Sequence, residues 1–194
     1  MREPLRTLLC VTGLLLGLAG PAVADQKLFP ERKEMCAGCH GENGVSEIPE
    51  IPSLAGLPEY YALLQLVEFR DGNRASPEMN GIVEGMTNDD LKAAAAHVGA
   101  FPPAPPRGPG DPARMKSGAA LSAQHGCGRC HGADYRGGNQ MPSLRNQRAD
   151  YIVKALHDYR AERRIGERAA MVEIAGNLTD AQIDDLAHYL AHQP

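Results

Sequence analysis

Cys36-Ala37-Gly38-Cys39-His40 and Cys127-Gly128-Arg129-Cys130-His131 decide the fold of this 194-residue chain, because the likeness between the two stretches continues far beyond the cysteines. Gly41 and Gly132 follow directly, Pro52-Ser53-Leu54 answers Pro142-Ser143-Leu144, and from those prolines the register is unbroken. Tyr61 falls with Tyr151, Phe69-Arg70 with Tyr159-Arg160, and Arg74 with Arg164. Met79 then pairs with Met171, and eight residues after each methionine stands a threonine, Thr87 or Thr179. The chain therefore reads as one small unit written twice. Between the copies, residues 101–112 run FPPAPPRGPGDP, whose six prolines favour an extended, semi-rigid connector. The expected layout is residues 25–100, a proline-rich linker at 101–112, and residues 113–194.

Each unit has about 80 residues, a size at which an apolar core alone is marginal. The chain has no Trp and three Phe, which sharpens that shortage and points to a bound group filling the centre. The motif supplies one. In C-x-x-C-H, two thiols three residues apart reach the two vinyl groups of one haem, and the adjacent histidine approaches the iron from the same side. A disulfide pair or a zinc site built from four thiolates is the alternative, but it leaves the two histidines and the matched methionines unused. Two covalently attached c-type haems follow, on Cys36 and Cys39 and on Cys127 and Cys130, with His40 and His131 as proximal iron ligands.

The distal ligand should recur in both copies. Beyond the first 24 residues the methionines are Met35, Met79, Met86, Met115, Met141 and Met171, and Met79 with Met171 is the one matched pair. Met86 answers Leu178 and Met141 answers Ile51, so those two read as packing residues. Met79 and Met171 are assigned as the sulfur ligands. His97, His125, His157, His188 and His192 have no counterparts and read as surface or supporting residues. Arg70, Arg74, Arg160 and Arg164 do recur; haem propionates and plain helix-face solvation both account for them. Tyr61 and Tyr151 either reach propionates or pack.

At the N-terminus, Arg2 and Arg6 precede an apolar run from Leu8 to Ala19, and Ala22-Val23-Ala24 offers a small-x-small cleavage site. Residues 1–24 are expected to be a secretory signal peptide, an uncleaved anchor being the alternative. Its removal leaves 18 basic and 23 acidic residues, a net charge of −5, and four cysteines, all within the two motifs. That balance offers no polybasic patch for nucleic acid and at most peripheral membrane association. Helical periodicity dominates, with no alternating run long enough for a strand. Pro58 is placed at a first helical position ahead of an apolar face of Tyr60, Tyr61, Leu64 and Val67. Thr87-x-x-Asp90 and Thr179-x-x-Gln182 read as capping boxes before the stripes Leu91, Ala94, Ala95, Val98 and Ile183, Leu186, Ala187, Leu190. The fold class is all-α, with segments 41–57 and 132–146 as wrapping loops.

These residues resemble the cytochrome c4 family of tandem dihaem proteins of the bacterial periplasm. The likeness covers the chain after the signal: CAGCHG and CGRCHG, both PSL triplets, the YYALLQLVEFRDGNR and YIVKALHDYRAERR helices, and the methionines before MTNDDL and LTDAQI. It implies two class I cytochrome c-like helical domains, each wrapped around its haem and packed about a pseudo-twofold axis. It also implies His/Met ligation, and Pro52 and Pro142 carbonyls that receive the proximal-histidine hydrogen bonds. One departure is the short run before Cys36, which includes Pro30: either the first helix is shortened and starts near Pro30, or cleavage is earlier than Ala24. The family implies a periplasmic electron carrier, not an enzyme, working between a quinol-oxidising complex or periplasmic dehydrogenase and a terminal oxidase. Two alternatives stay open, an obligate electron-transfer subunit of a dehydrogenase such as a flavoprotein, and a small dihaem redox enzyme. No cysteine remains outside the attachment motifs to serve as a special ligand for the latter.

Overall fold

The structure, a computed structural model, describes residues 27–164 and 169–194, so the expected signal peptide at 1–24 lies outside the described residues. The first copy supplies α1 (Phe29–His40), α2 (Glu59–Arg70), α3 (Pro77–Val83) and α4 (Asn88–Gly99). The second supplies α5 (Pro112–Gln124), α6 (Cys127–His131), α7 (Ala149–Arg160), α8 (Ala169–Gly176) and α9 (Asp180–Ala191). Among the described residues the only β-type pairings are two isolated bridges, so the all-α expectation holds.

The two copies differ at their first helix. In the first, α1 begins at Phe29 beside Pro30 and runs without interruption through the CAGCH motif, so the helix is indeed short. In the second, α5 ends at Gln124, and Gly126 turns the chain in a left-handed conformation before α6 restarts on Cys127. The longer α5 lies along α9. Gly118 makes that crossing close: a β-carbon there would stand 2.3 Å from the Tyr189 β-carbon and 2.5 Å from the Asp185 carbonyl oxygen. In the first copy the corresponding contact between α1 and α4 is slighter. It rests on the Phe29 amide donating to Asp90 Oδ1 at 3.1 Å, while the Arg32 guanidinium ties α1 to the end of α3 by donating to the Ile82 and Glu84 carbonyls.

Each half has its own core. Phe69, Val83, Met86, Leu91 and Ala94 form one; Leu121, Tyr135, Ile152, Leu156, Tyr159, Leu178, Ile183, Leu186 and Leu190 lead the other. The terminal stripes behave as the periodicity demands, apart from Val98, which is half-buried while Asp90 takes a buried place. Helix α2 departs from expectation twice. Pro58 is its extended N-cap residue rather than its first helical one, and the buried face is Tyr61, Ala62, Gln65 and Phe69, with Tyr60 44% exposed. The reason is tertiary: Tyr61 and Gln65 on that face meet Arg164 of the other half, while Phe69 enters the core of its own.

The proline-rich connector is not a free spacer. Ala104 is buried, its carbonyl accepts from Asn146 Nδ2 at 3.1 Å, and Arg107 Nε donates to the Asn146 carbonyl at 3.1 Å. Pro103 packs against Gly56, whose missing β-carbon would sit 3.1 Å from the proline α-carbon. Gly56 and Asn146 occupy equivalent places in the two copies, both at positive φ (74° and 58°), so the linker touches the same corner of each half.

Both terminal helices open on complete capping boxes, Thr87 with Asp90 and Thr179 with Gln182. Burial raises the Asp90 carboxyl, but hydrogen bonds from Thr87 and from the Phe29 and Leu28 backbone outweigh it and hold Asp90 below the ordinary carboxylate range. A depressed carboxyl stabilises the folded state at neutral pH and loses that contribution as pH falls through its folded value. Thr87→Ala and Thr179→Ala should each cost about 1 kcal/mol in denaturant unfolding at neutral pH. The Thr87→Ala penalty should shrink in acid as Asp90 protonates, whereas the Thr179→Ala penalty, backed by an uncharged glutamine, should stay constant.

Candidate haem sites and the junction between them

His40 closes α1 and His131 closes α6, and both are buried. Each motif histidine is aimed by the same device. His40 Nδ1 lies 2.8 Å from the Pro52 carbonyl oxygen, and His131 Nδ1 lies 3.0 Å from that of Pro142. The Nδ1–H donates to the carbonyl, which fixes the tautomer and leaves Nε2 for a metal. The carbonyls are held in turn by matched loop closures. Leu54 and Ala55 amides donate to the Gly44 carbonyl at 2.7 and 2.9 Å, and Leu144 and Arg145 amides donate to that of Tyr135 at 2.8 and 3.1 Å. Burial lowers His40 and the Pro52 bond raises it, with burial prevailing, so the ring stays neutral.

The four thiols are free, Cys36 and Cys127 half-buried, Cys39 and Cys130 exposed. Burial pushes the Cys36 and Cys127 thiols up, which keeps them protonated. Met79 lies on α3 and Met171 on α8, each half-buried and packed against the core of its own half. Met86 and its counterpart Leu178 are buried in those cores as packing residues, and Met35 is 53% exposed. Leu28, Phe29, Leu63, Leu66 and Val67 are only partly covered by the first core. A half that holds an aimed neutral imidazole, two free thiols three residues apart, a half-covered thioether and incompletely buried apolar side chains has the donor set and the apolar lining that a haem requires.

The recurrent arginines divide into two pairs. Arg70 donates to Asn88 Oδ1 at 2.7 Å and Arg160 to Asp180 Oδ1 at 2.6 Å, so the first ties α2 to the start of α4 and the second ties α7 to the start of α9. Arg74 and Arg164 instead cross between the halves. Their backbones meet in an antiparallel bridge. Arg74 stacks over Phe69 at 4.4 Å and donates to Gln65 Oε1 at 2.6 Å and to the Tyr151 hydroxyl of the other half at 3.1 Å. Arg164 stacks over Tyr159 at 4.8 Å and donates across to the Tyr61 hydroxyl at 2.7 Å and to Gln65 Oε1 at 2.9 Å. These reciprocal contacts are what a pseudo-twofold requires, and they give both tyrosines a polar task beyond packing. Solvation does not explain Arg164, which is buried. Burial would lower its guanidinium, but Tyr61, Tyr151 and Tyr159 outweigh that and hold it charged. Neither Arg74 nor Arg164 forms an ion pair among the described residues.

Sequence reasoning missed Gln65, and also Gln147, Arg148 and Asp150 at the start of α7, which bond across to the first half. The signal was present as breaks in the repeat: Gln65 faces Ala155, and Gln147 faces Leu57. A polar residue where the other copy is apolar marks a contact that the symmetry does not share.

The comparisons with known proteins agree with this geometry. The Cytochrome c family model matches residues 115–194, the second copy. A cytochrome c4 of Pseudomonas aeruginosa is 32% identical over 98% of this chain and 98% of its own length. A thiosulfate dehydrogenase electron acceptor of Thiomonas intermedia is 32% identical over 98% of this chain and 93% of its own. The crystal structure of reduced cytochrome c4 from Pseudomonas stutzeri superposes with a TM-score of 0.77 at 28% identity, covering 87% of this chain and all of that one.

Burial alone would raise the Tyr151 hydroxyl, but the charges of Arg74 and Arg164 and their hydrogen bonds prevail and bring it down to about 8. The folded state thus releases this proton more readily than the unfolded chain does. Its contribution to stability is absent below the folded value, grows as pH rises through it, and is complete above the ordinary tyrosine value of about 10. Wild type should therefore gain stability relative to Tyr151→Phe between about pH 8 and about pH 10, measured as the difference between their urea midpoints. Equal midpoint differences at both ends of that window would show that the two arginines do not act on this hydroxyl.

Proposed function

Since the chain belongs to the cytochrome c4 family and is a dihaem electron-transfer cytochrome with covalently bound haem, we propose that it carries electrons in the periplasm from a quinol-oxidising complex or a dehydrogenase to a terminal oxidase. Residues 25–100 and 113–194 each form one haem domain, joined by the 101–112 linker and exported by the signal at 1–24. Cys36 and Cys39 hold one haem and Cys127 and Cys130 the other, with His40 and Met79, and His131 and Met171, as axial ligands. The observation that carries this reading is the repeated aiming of an imidazole onto a proline carbonyl, 2.8 Å in one half and 3.0 Å in the other.

Bound haem supplies a one-electron couple, and the chain's residues make it suited to transfer rather than catalysis. The histidine is fixed in orientation by its carbonyl, and the methionine is placed on a short helix packed against the core. Two ligands from the fold leave no open position for a substrate, and a thioether raises the potential relative to two imidazoles. Arg164 supplies a buried positive charge, and Arg74 a half-buried one, for the haem propionates, since a desolvated cation without a counter-charge is costly. Among the described residues no helix is long and apolar enough to cross a membrane, which accords with a carrier moving between partners.

The likeness to a thiosulfate dehydrogenase electron acceptor favours a dehydrogenase as one donor. Stopped-flow reduction of the purified cytochrome by thiosulfate dehydrogenase, compared with reduction by a quinol-oxidising complex, decides between the donors. A dehydrogenase that co-purifies in fixed ratio marks an obligate subunit.

Intact mass should show two haems per chain. In a redox titration followed by visible spectra, Met79→Ala and Met171→Ala should each strip one haem of its low-spin signature and lower its potential. Each variant should also bind carbon monoxide at one iron, where untreated wild type binds none. Unchanged spectra in both variants would remove the methionines from the coordination sphere.

A further inference from the structure

The contacts between the halves are reciprocal at the arginines but one-sided at the histidine loops. Gln147, at the foot of α7, is buried and presents its side-chain amide to the backbone of Ser53 as a strand would. Its Oε1 accepts from the Ser53 amide at 2.8 Å, and its Nε2 donates to the Ser53 carbonyl at 2.7 Å. Ser53 directly follows Pro52, the residue whose carbonyl receives the His40 Nδ1–H.

The neighbouring residues tighten the same loop. Arg148 Nη1 donates to the Ser46 carbonyl at 3.1 Å, and its guanidinium is oriented by Asp150 at 2.7 Å. The Glu50 amide donates to Asp150 Oδ2 at 3.3 Å. Within the loop, the Ser46 amide donates to Ser53 Oγ at 3.1 Å, and Ser46 Oγ donates to the Cys39 carbonyl at 3.1 Å. Residues 147–150 of one half therefore grip both strands of the loop that aims the other half's histidine. Ser46 and Ser53 are fully enclosed, so water cannot replace these bonds cheaply.

Among the described residues the reverse grip is absent. The first half carries Leu57 and Pro58 where the second carries Gln147 and Arg148. Among the described residues, no hydrogen bond from the first half reaches the backbone of residues 142–144.

We propose that Gln147 is a positioning residue for the first half's haem, holding Pro52 so that the second half sets the strength of the His40 hydrogen bond with no equivalent effect in return. The inference rests on the dihaem reading above. A histidine that donates Nδ1–H firmly to a carbonyl is the more basic ligand and favours the ferric iron. Loosening the grip weakens that bond, so the potential of the haem at Cys36 and Cys39 rises.

The test uses the full holoprotein with Gln147→Leu, the residue type found at the equivalent place in the first half. Two waves are resolved by spectroelectrochemistry, and Met79→Ala, which displaces only the first half's wave, assigns them. The expected result is an upward shift of the first wave, its ferric-to-ferrous ratio at the wild-type midpoint falling roughly two- to fivefold, less than the roughly 10- to 100-fold effect of removing a group bonded directly to the ligand. The second wave stays in place, and the Ser53 amide loses protection from hydrogen exchange. Gln147→Met, close to glutamine in length but without its donor and acceptor, should reproduce the shift. It is read alone if the leucine variant fails to retain both haems. A deprotected Ser53 amide with both waves unmoved, or equal shifts of both waves, overturns the proposal. If wild type itself lacks two low-spin waves, or Met79→Ala displaces neither, the dihaem reading fails instead.

Discussion

A five-residue motif ties a histidine to two cysteines, but it does not aim the ring, and the bond from the ring's Nδ1–H to a proline carbonyl is what does. The rest of each half is arranged around that bond. The proline lies 12 residues beyond His40 and 11 beyond His131, across a loop whose return is closed by two amides on one carbonyl. The second helix then starts from that loop, the third carries the methionine back toward the core, and the capped terminal helix covers the apolar face. A loop without periodic structure is thereby as ordered as a helix, because its backbone groups have partners within it.

The halves are joined by directional polar contacts, and this suits a molecule that needs a fixed separation between two redox centres. Arg74 and Arg164 stack on aromatic rings, which offsets part of the cost of removing guanidiniums from water, and the tyrosine hydroxyls and Gln65 satisfy their donors. Such bonds are directional, so they fix register where an oily surface would allow sliding. The proline connector adds to this by docking on Gly56 and Asn146 rather than merely spanning a gap.

Duplication gives two sites one design, and the departures from symmetry give them separate characters. Gln65 serves both arginines where the other copy has Ala155, and Gln147 and Arg148 reach across where the first copy has Leu57 and Pro58. The capping boxes differ in the same way, a titratable Asp90 against a neutral Gln182.

The attachment motifs, the repeat and the capping threonines were legible because they are local patterns or patterns that recur at fixed spacing, and the proposal of Met79 and Met171 rests on the same recurrence. A thiol pair and its histidine act within one helical turn, a cap acts over three residues, and a duplicated gene displays its own register. The buried face of α2, the cross-half roles of Tyr61, Tyr151, Arg74 and Arg164, and the grip of Gln147 on Ser53 were not legible. Each depends on which surface of one half meets the other, and residues about 100 apart in the chain have no spacing rule to bring them together. Sequence by itself determined the repeat, the two attachment motifs and the cofactor they imply; tertiary structure alone decided which groups of one half meet those of the other, because a desolvated polar group shows its partner only when the surfaces have closed around both.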